Sequence, residues 1–141
     1  MARKLVDITK EYVNTNRDCL EMVHNISKEL GKKVVDAFDI FQLEDKTYLD
    51  WYKENEPEVV NAKILELMYS VGYEIDSKQM FSGDIILFRG FDEKIFICYY
   101  IGNLNGLIAT FDYGIKNINL VSLIRDGRIV KVIRLRNENE E

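Results

Sequence analysis

A chain of 141 residues, 47% apolar and 30% charged, is the size of one domain around one core, and no apolar run approaches the roughly 18 residues of a membrane-spanning helix. The two cysteines, Cys19 and Cys98, lack CxxC spacing, which excludes a disulfide-rich scaffold and a cysteine-based zinc site, and a net charge of −5 argues against a nucleic-acid partner. There is one histidine, His24, and the first residues lack the apolar stretch of a signal peptide, so synthesis and residence in the cytoplasm are expected unless a particle carries the chain out.

The first 72 residues carry helical periodicity and the last 59 carry strand patterns, with no Pro/Gly/Ser-rich linker between them, which predicts two layers of one α+β domain. Leu5, Ile8 and Tyr12 predict an opening helix, ended by Asn14-Thr15-Asn16. Asp18-Cys19-Leu20-Glu21 has the form of a capping box, with Asp18 as N-cap, Glu21 as its partner and Cys19 in the first turn. Cys19, Val23, Ile26 and Leu30 then share one helix face, and Gly31 is the stop. Between residues 34 and 55 the pattern is mixed: Val34, Ala37, Phe38 and Phe41 suggest a helical turn, and Tyr48, Leu49, Trp51 and Tyr52 cluster among acids. A further helix opens at Pro57, carries Val60, Ile64, Leu67, Met68 and Val71 inward, and ends at Gly72.

After Gly83 short apolar runs alternate with turn residues, predicting strands over 84–88, 95–101, 107–111, 115–120 and 129–135, with 89–92 and 102–106 as hairpin connections. Residues 1–136 are expected to form the domain, and 137–141 a polar acidic tail that frays. Arg125, Arg128, Lys131, Arg134 and Arg136 make a basic stripe whose expected role is to balance the acidic helical half. No P-loop, GxGxxG, HExxH or EF-hand pattern is present, so neither metal nor cofactor is expected.

A cysteine on the first turn of a helix that packs on an antiparallel sheet is an arrangement with chemical meaning. Unpaired backbone N–H groups and the positive end of the helix dipole stabilise a thiolate, and an imidazole on the sheet completes a hydrolytic site. Asp18-Cys19-Leu20-Glu21-Met22-Val23 resembles the Asp-Cys-Leu-Gly-Leu-Val motif of NlpC/P60 cell-wall peptidases, in the form typical of phage-tail and gene-transfer-particle members. Ser82-Gly83-Asp84-Ile85-Ile86-Leu87-Phe88 resembles the family's Pro-Gly-Asp strand. Tyr100-Ile101-Gly102-Asn103 and Tyr113-Gly114-Ile115 resemble its later landmarks. The four landmarks span residues 16–136 in the family's order, and imply a papain-like α+β fold with N-terminal helices on a five- to six-stranded antiparallel sheet or open barrel.

The departures bear on function. Counting back from Tyr100-Ile101-Gly102-Asn103, the resemblance puts Phe96 where the family has its catalytic histidine, and Ala109 where it has a second polar residue. Cys19 would then face an apolar wall. His24 lies five residues along the helix from Cys19, roughly 140° around the axis, and cannot serve as its base. Acyl transfer also needs a proton donor for the leaving amine, which Phe96 and Ala109 cannot supply. The expectation is a degenerate NlpC/P60-like module, with Cys19 vestigial, that acts as a structural or binding component of a phage tail tip or tail-assembly apparatus and partners other protein subunits. The alternative is an active peptidoglycan peptidase or amidase in which Cys19 uses an unconventional or partner-supplied base. A second alternative is a host-partner-binding protein that docks through Tyr48, Trp51 and Tyr52.

Overall fold

The computed structural model describes residue 11, residues 19–34, 47–110 and 114–138. The predicted opening helix and the segment carrying Ala37, Phe38 and Phe41 lie outside these, as does Asp18. Among the described residues four α-helices pack with one six-stranded antiparallel sheet that does not close.

Helix α1 (Cys19–Glu29) begins directly after Asp18, where the capping box puts its first turn. It ends in a Schellman motif. Gly31 takes a left-handed φ of 74°, its N–H donates to the Lys28 carbonyl, and the Lys32 N–H donates to that of Ser27. Helix α2 (Tyr48–Glu54) is capped by Thr47, whose hydroxyl accepts from the Asp50 N–H at 3.1 Å. Helix α3 (Pro57–Val71) opens at its proline and buries the expected stripe of Val60, Ile64, Leu67, Met68 and Val71.

The predicted stop at Gly72 is also the start of a strand. Strand β1 (Gly72–Ile75) follows α3 without a loop and pairs with β6 (Ile129–Leu135), Gly72 opposite Leu135. Its glycine is required by proximity, not by φ: a Cβ there would collide with the Arg134 carbonyl oxygen. A short 3-10 turn (Ser77–Gln79) then leads to β2 (Ile85–Arg89), β3 (Ile95–Gly102), β4 (Asn105–Thr110), β5 (Gly114–Asn119) and a one-turn helix α4 (Val121–Arg125) before β6. The sheet order is β1-β6-β2-β3-β4-β5. The β3–β4 connection is tighter than the five residues expected, because only Asn103 and Leu104 turn, at φ 53° and 59°. Both left-handed residues match the twist of the flanking strands.

The sheet is buried on both faces. Ile85, Leu87, Ile97, Tyr99, Leu107 and Ile133 meet Met22, Val23 and Ile26 of α1 and the inner faces of α2 and α3 in the main core. Ile86, Phe88, Cys98, Tyr100 and Val132 form a second core, covered by Leu120, Leu123 and Ile124 around α4. Strand β3 is clamped to the helical layer at its first residue. The Ile95 N–H donates to the Asn61 side-chain oxygen at 2.7 Å, and the Ile95 carbonyl accepts from the Tyr52 hydroxyl at 3.0 Å. Lys94 Nζ donates to the Tyr52 carbonyl at 2.6 Å.

Of the tail expected over 137–141, Asn137 and Glu138 are described and are tied to the end of α1. Asn137 bridges Lys32, its side-chain oxygen accepts from Lys32 Nζ at 2.8 Å, and the Glu138 N–H donates to the Gly31 carbonyl. The loop closing α1 supplies these partners, a long-range pairing that local composition does not reveal.

Gly106 on β4 leaves no room for a side chain in the second core, since a Cβ there would collide with Cys98 Sγ. Gly106→Ala is expected to cost about 1–3 kcal/mol in urea unfolding. Because the cysteine sulfur is the main obstacle, the Gly106→Ala/Cys98→Ala double variant should lose less than the sum of the two single losses.

Candidate functional site

The chemistry proposed from sequence starts at Cys19, the first residue of α1, where the helix leaves backbone N–H groups without intrahelical acceptors. The side chains of Cys19 and Glu21 lie outside the described residues, as does that of Ala109, whose backbone pairs with Ile115 across β4 and β5. Beyond its first turn α1 packs on the sheet through Met22 and Ile26, both fully buried, and Val23. His24 is half-buried on the same regular helix, so the 140° separation from Cys19 holds.

Phe96 lies on the sheet face opposite to the one on which Met22, Val23 and Ile26 of α1 pack. It stacks on Phe88 of β2, ring centroids 5.4 Å apart, in the second core, on the sheet face turned away from α1, α2 and α3. The physical reason is the strand period of two: Phe96, Cys98 and Tyr100 share the outer face, and Ile95, Ile97 and Tyr99 share the face that meets the helical layer. Counting from the motif found the strand but not the face. The consequence for chemistry is the same in kind, since Ile95 and Ile97 offer no proton acceptor.

Tyr99 is the one side chain in that inward row with a polar atom. Its ring is fully buried, its hydroxyl finds no hydrogen-bond partner among the described residues, and it lies beneath Gly83. Burial, reinforced by the charge of Asp84, pushes the phenol well above its ordinary pKa of 10.0. It stays protonated, so it can take part in hydrogen bonds but serves neither as a base nor as a ready proton source. Cys98 is likewise fully buried, and desolvation pushes its thiol from 9.0 up to about 12, so it is a packing residue and not a nucleophile.

A buried polar tie that the sequence reading missed lies beside Tyr99. Asp84, 4% exposed, opens the run into β2 and receives a two-pronged hydrogen bond from Arg134 of β6, Nε to Oδ1 at 3.1 Å and Nη2 to Oδ2 at 3.0 Å. The same carboxylate accepts from the Phe81 N–H at 2.7 Å, and Arg134 Nη2 also donates to the Gln79 carbonyl at 2.9 Å. One ion pair thus holds the loop between β1 and β2 against β6. Hydrogen bonding to Asp84 raises the already high pKa of the guanidinium. The signal was present in two pieces, a Gly-Asp before a strand and an arginine alternating with Ile133 and Leu135, but only the topology joins them.

Among the described residues, the rest of the basic stripe meets partners on neighbouring strands and turns. Lys131 Nζ lies 3.1 Å from Glu74, which raises its pKa through their hydrogen bond, and Arg125 lies 3.7 Å from Asp126. Arg128 stacks over Phe91 and Arg136 over Tyr73.

The proposed docking surface of Tyr48, Trp51 and Tyr52 is overturned. These residues are 3%, 7% and 6% exposed, and they form the inner face of α2 in the main core. Asp50 and Glu54 are exposed on the opposite side of this helix, whose period the short, aromatic-dense segment hides from a sequence count. Among the described residues no group of three His, Cys, Asp or Glu side chains could hold a metal ion, and no helix is long and apolar enough to cross a membrane.

The fold is that of NlpC/P60 proteins. An NlpC/P60 family protein from Bacillus cereus ATCC 10987 superposes with a TM-score of 0.57 at 14% identity, over 96% of this chain and 41% of its own length. NlpC1 from Trichomonas vaginalis gives 0.55 at 16% identity, over 93% of this chain and 42% of its own. The chain therefore spans less than half the length of these two structures, and at such identities the likeness is one of fold. No protein-family model and no curated protein matches the sequence.

Two outcomes follow from the buried groups. Arg134→Met strands a carboxylate that is 5% exposed and is expected to cost about 3 kcal/mol, whereas Asp84→Asn leaves a guanidinium already 32% exposed and should cost less, both read by urea unfolding. Cys98 should resist a thiol reagent at pH 8 until the protein is unfolded. Because its folded pKa lies above its unfolded one, the stability it confers is complete below about pH 9 and is lost as the pH rises toward about 12, measurable as a falling melting temperature that Cys98→Ala flattens.

Proposed function

We propose that this chain is a catalytically degenerate NlpC/P60-like module that acts as a structural or binding component, of a phage tail tip or tail-assembly apparatus. The observation that carries the reading is the inward row of β3, which offers the helical layer Ile95, Ile97 and a protonated Tyr99 where hydrolysis needs an imidazole. The chain's one histidine is on the cysteine helix itself, on another side from Cys19. A thiol at a helix N-terminus without a base depends on its own thiolate fraction, and no group on this inward row protonates a departing amine. The tail assignment rests on the Asp-Cys-Leu form of the motif at residues 18–20.

An active peptidoglycan peptidase is the competing reading, because Cys19 keeps the first helical position. The purified chain is expected to release no soluble peptide from peptidoglycan sacculi above a protein-free blank, and Cys19→Ala should behave identically. Release that Cys19→Ala abolishes makes the chain an enzyme and overturns the degenerate module. In cells that produce tail-like particles, the tagged chain is expected to cosediment with them; its recovery only at the top of the gradient removes the tail assignment.

A further inference from the structure

Strands β1 and β6 are unequal partners. β1 has four residues and pairs only with residues 132–135 of the seven-residue β6, Ile75 opposite Val132, after which the 3-10 turn carries the chain away. From Lys131 back to Ile129, β6 has β2 on one side and, among the described residues, no strand on the other. A groove of about 540 Å³ lies along this open edge, walled by residues 74–77 and 129–132. It continues the line of β1. The bulge opposite Leu87 and Phe88 falls within the same stretch, and Val130 there is 36% exposed. At its far end stands Phe91, 91% exposed on the β2–β3 hairpin and stacked under Arg128 at 4.4 Å.

We infer that this groove is a docking site for an extended segment of a partner protein, added to β6 as a continuation of β1. The sheet itself supplies the argument for that occupant, since a strand beside residues 129–131 continues the line of β1 and extends an existing antiparallel ladder past the bulge at Val130. Charge sets its direction and composition. Such a segment runs antiparallel to β6, so its N-terminal end lies beside Asp76 and its C-terminal end beside Arg128. Lys131 is held by Glu74 and contributes little net charge. Asp76, whose Oδ1 accepts from the Lys78 N–H, leaves a carboxylate at the entry, and the Arg128 guanidinium marks the exit. The fitting segment is therefore short and β-branched, with Lys or Arg at its start and Asp or Glu at its end, its side chains passing alternately over the apolar Ile75 and Ile129. A second copy of this chain is the poorer fit, because each copy carries a net charge of −5 and its own β1 blocks the matching edge beyond Val132. This inference rests on the binding-module reading, and its test does not depend on hydrolysis.

The test is selection of a random decapeptide library on the intact chain, followed by amide chemical-shift mapping with the enriched peptides. Supporting results are enriched sequences with alternating β-branched residues between a basic start and an acidic end, and shifts concentrated at residues 74–77 and 129–132. N-methylation of alternate peptide amides should abolish binding, because it removes the backbone donors of the ladder. Asp76→Asn, which keeps the acceptor for Lys78, and Arg128→Ala should each weaken binding about two- to fivefold without altering the circular dichroism spectrum. No enrichment over an unrelated bait, shifts that map elsewhere, or binding that survives N-methylation overturns the inference. So does concentration-dependent dimerisation that shifts these same amides, which would make a second copy the occupant. Peptide release from sacculi would instead overturn the module reading, while the mapped amides would still report whether this edge is occupied.

Discussion

Burial of β2 and β3 on both faces is the constraint from which most of this structure follows. Two central strands enclosed by helices on one side and by α4 with its flanking residues on the other must be apolar at every position, odd and even. That requirement accounts for the unbroken run Ile85-Ile86-Leu87-Phe88, for Phe96 stacked on Phe88, and for a cysteine against a glycine at residues 98 and 106. It also bears directly on chemistry. An imidazole on the inward face of β3 would need a polar partner to offset its desolvation, and the neighbouring positions are isoleucines.

Two polar ties hold this interior together. Asp84 is buried with its carboxylate shared between Arg134 and the Phe81 N–H, which joins β6, β2 and the loop from β1 at one point. Tyr52 and Asn61 perform the corresponding task on the helical side, holding the first residue of β3 through both its N–H and its carbonyl. The Ser27 and Tyr99 hydroxyls differ, buried without a hydrogen-bond partner among the described residues, the second of them next to the charge of Asp84.

How much was legible depended on whether the signal was local. The helix at Cys19, its stop at Gly31, the stripe from Val60 to Val71 and the five strands after Gly83 all appear near their expected places, since period and turn residues encode them directly. Strand β1 did not, because Gly-Tyr-Glu-Ile has neither length nor alternation and becomes a strand only by meeting β6. Tyr48, Trp51 and Tyr52 misled for a related reason. Seven residues are too few to distinguish an inward aromatic face from an exposed one, and packing against the sheet decided it. The candidate site was legible at Cys19 as a helix start; the face of Phe96 and the pairing of Asp84 with Arg134 were not, as each depends on which strand lies beside which.

By itself, the amino-acid sequence determined the α+β division, the helix that begins at Cys19 and the scarcity of imidazole, because composition and periodicity act within a few residues of the backbone. The tertiary structure alone decided that Phe96 turns outward and Tyr99 inward, that the aromatic stretch is core, and that β6 outruns its partner β1 at an open edge. Those outcomes are set by register and layer packing, where shifting a strand by one residue exchanges its two faces.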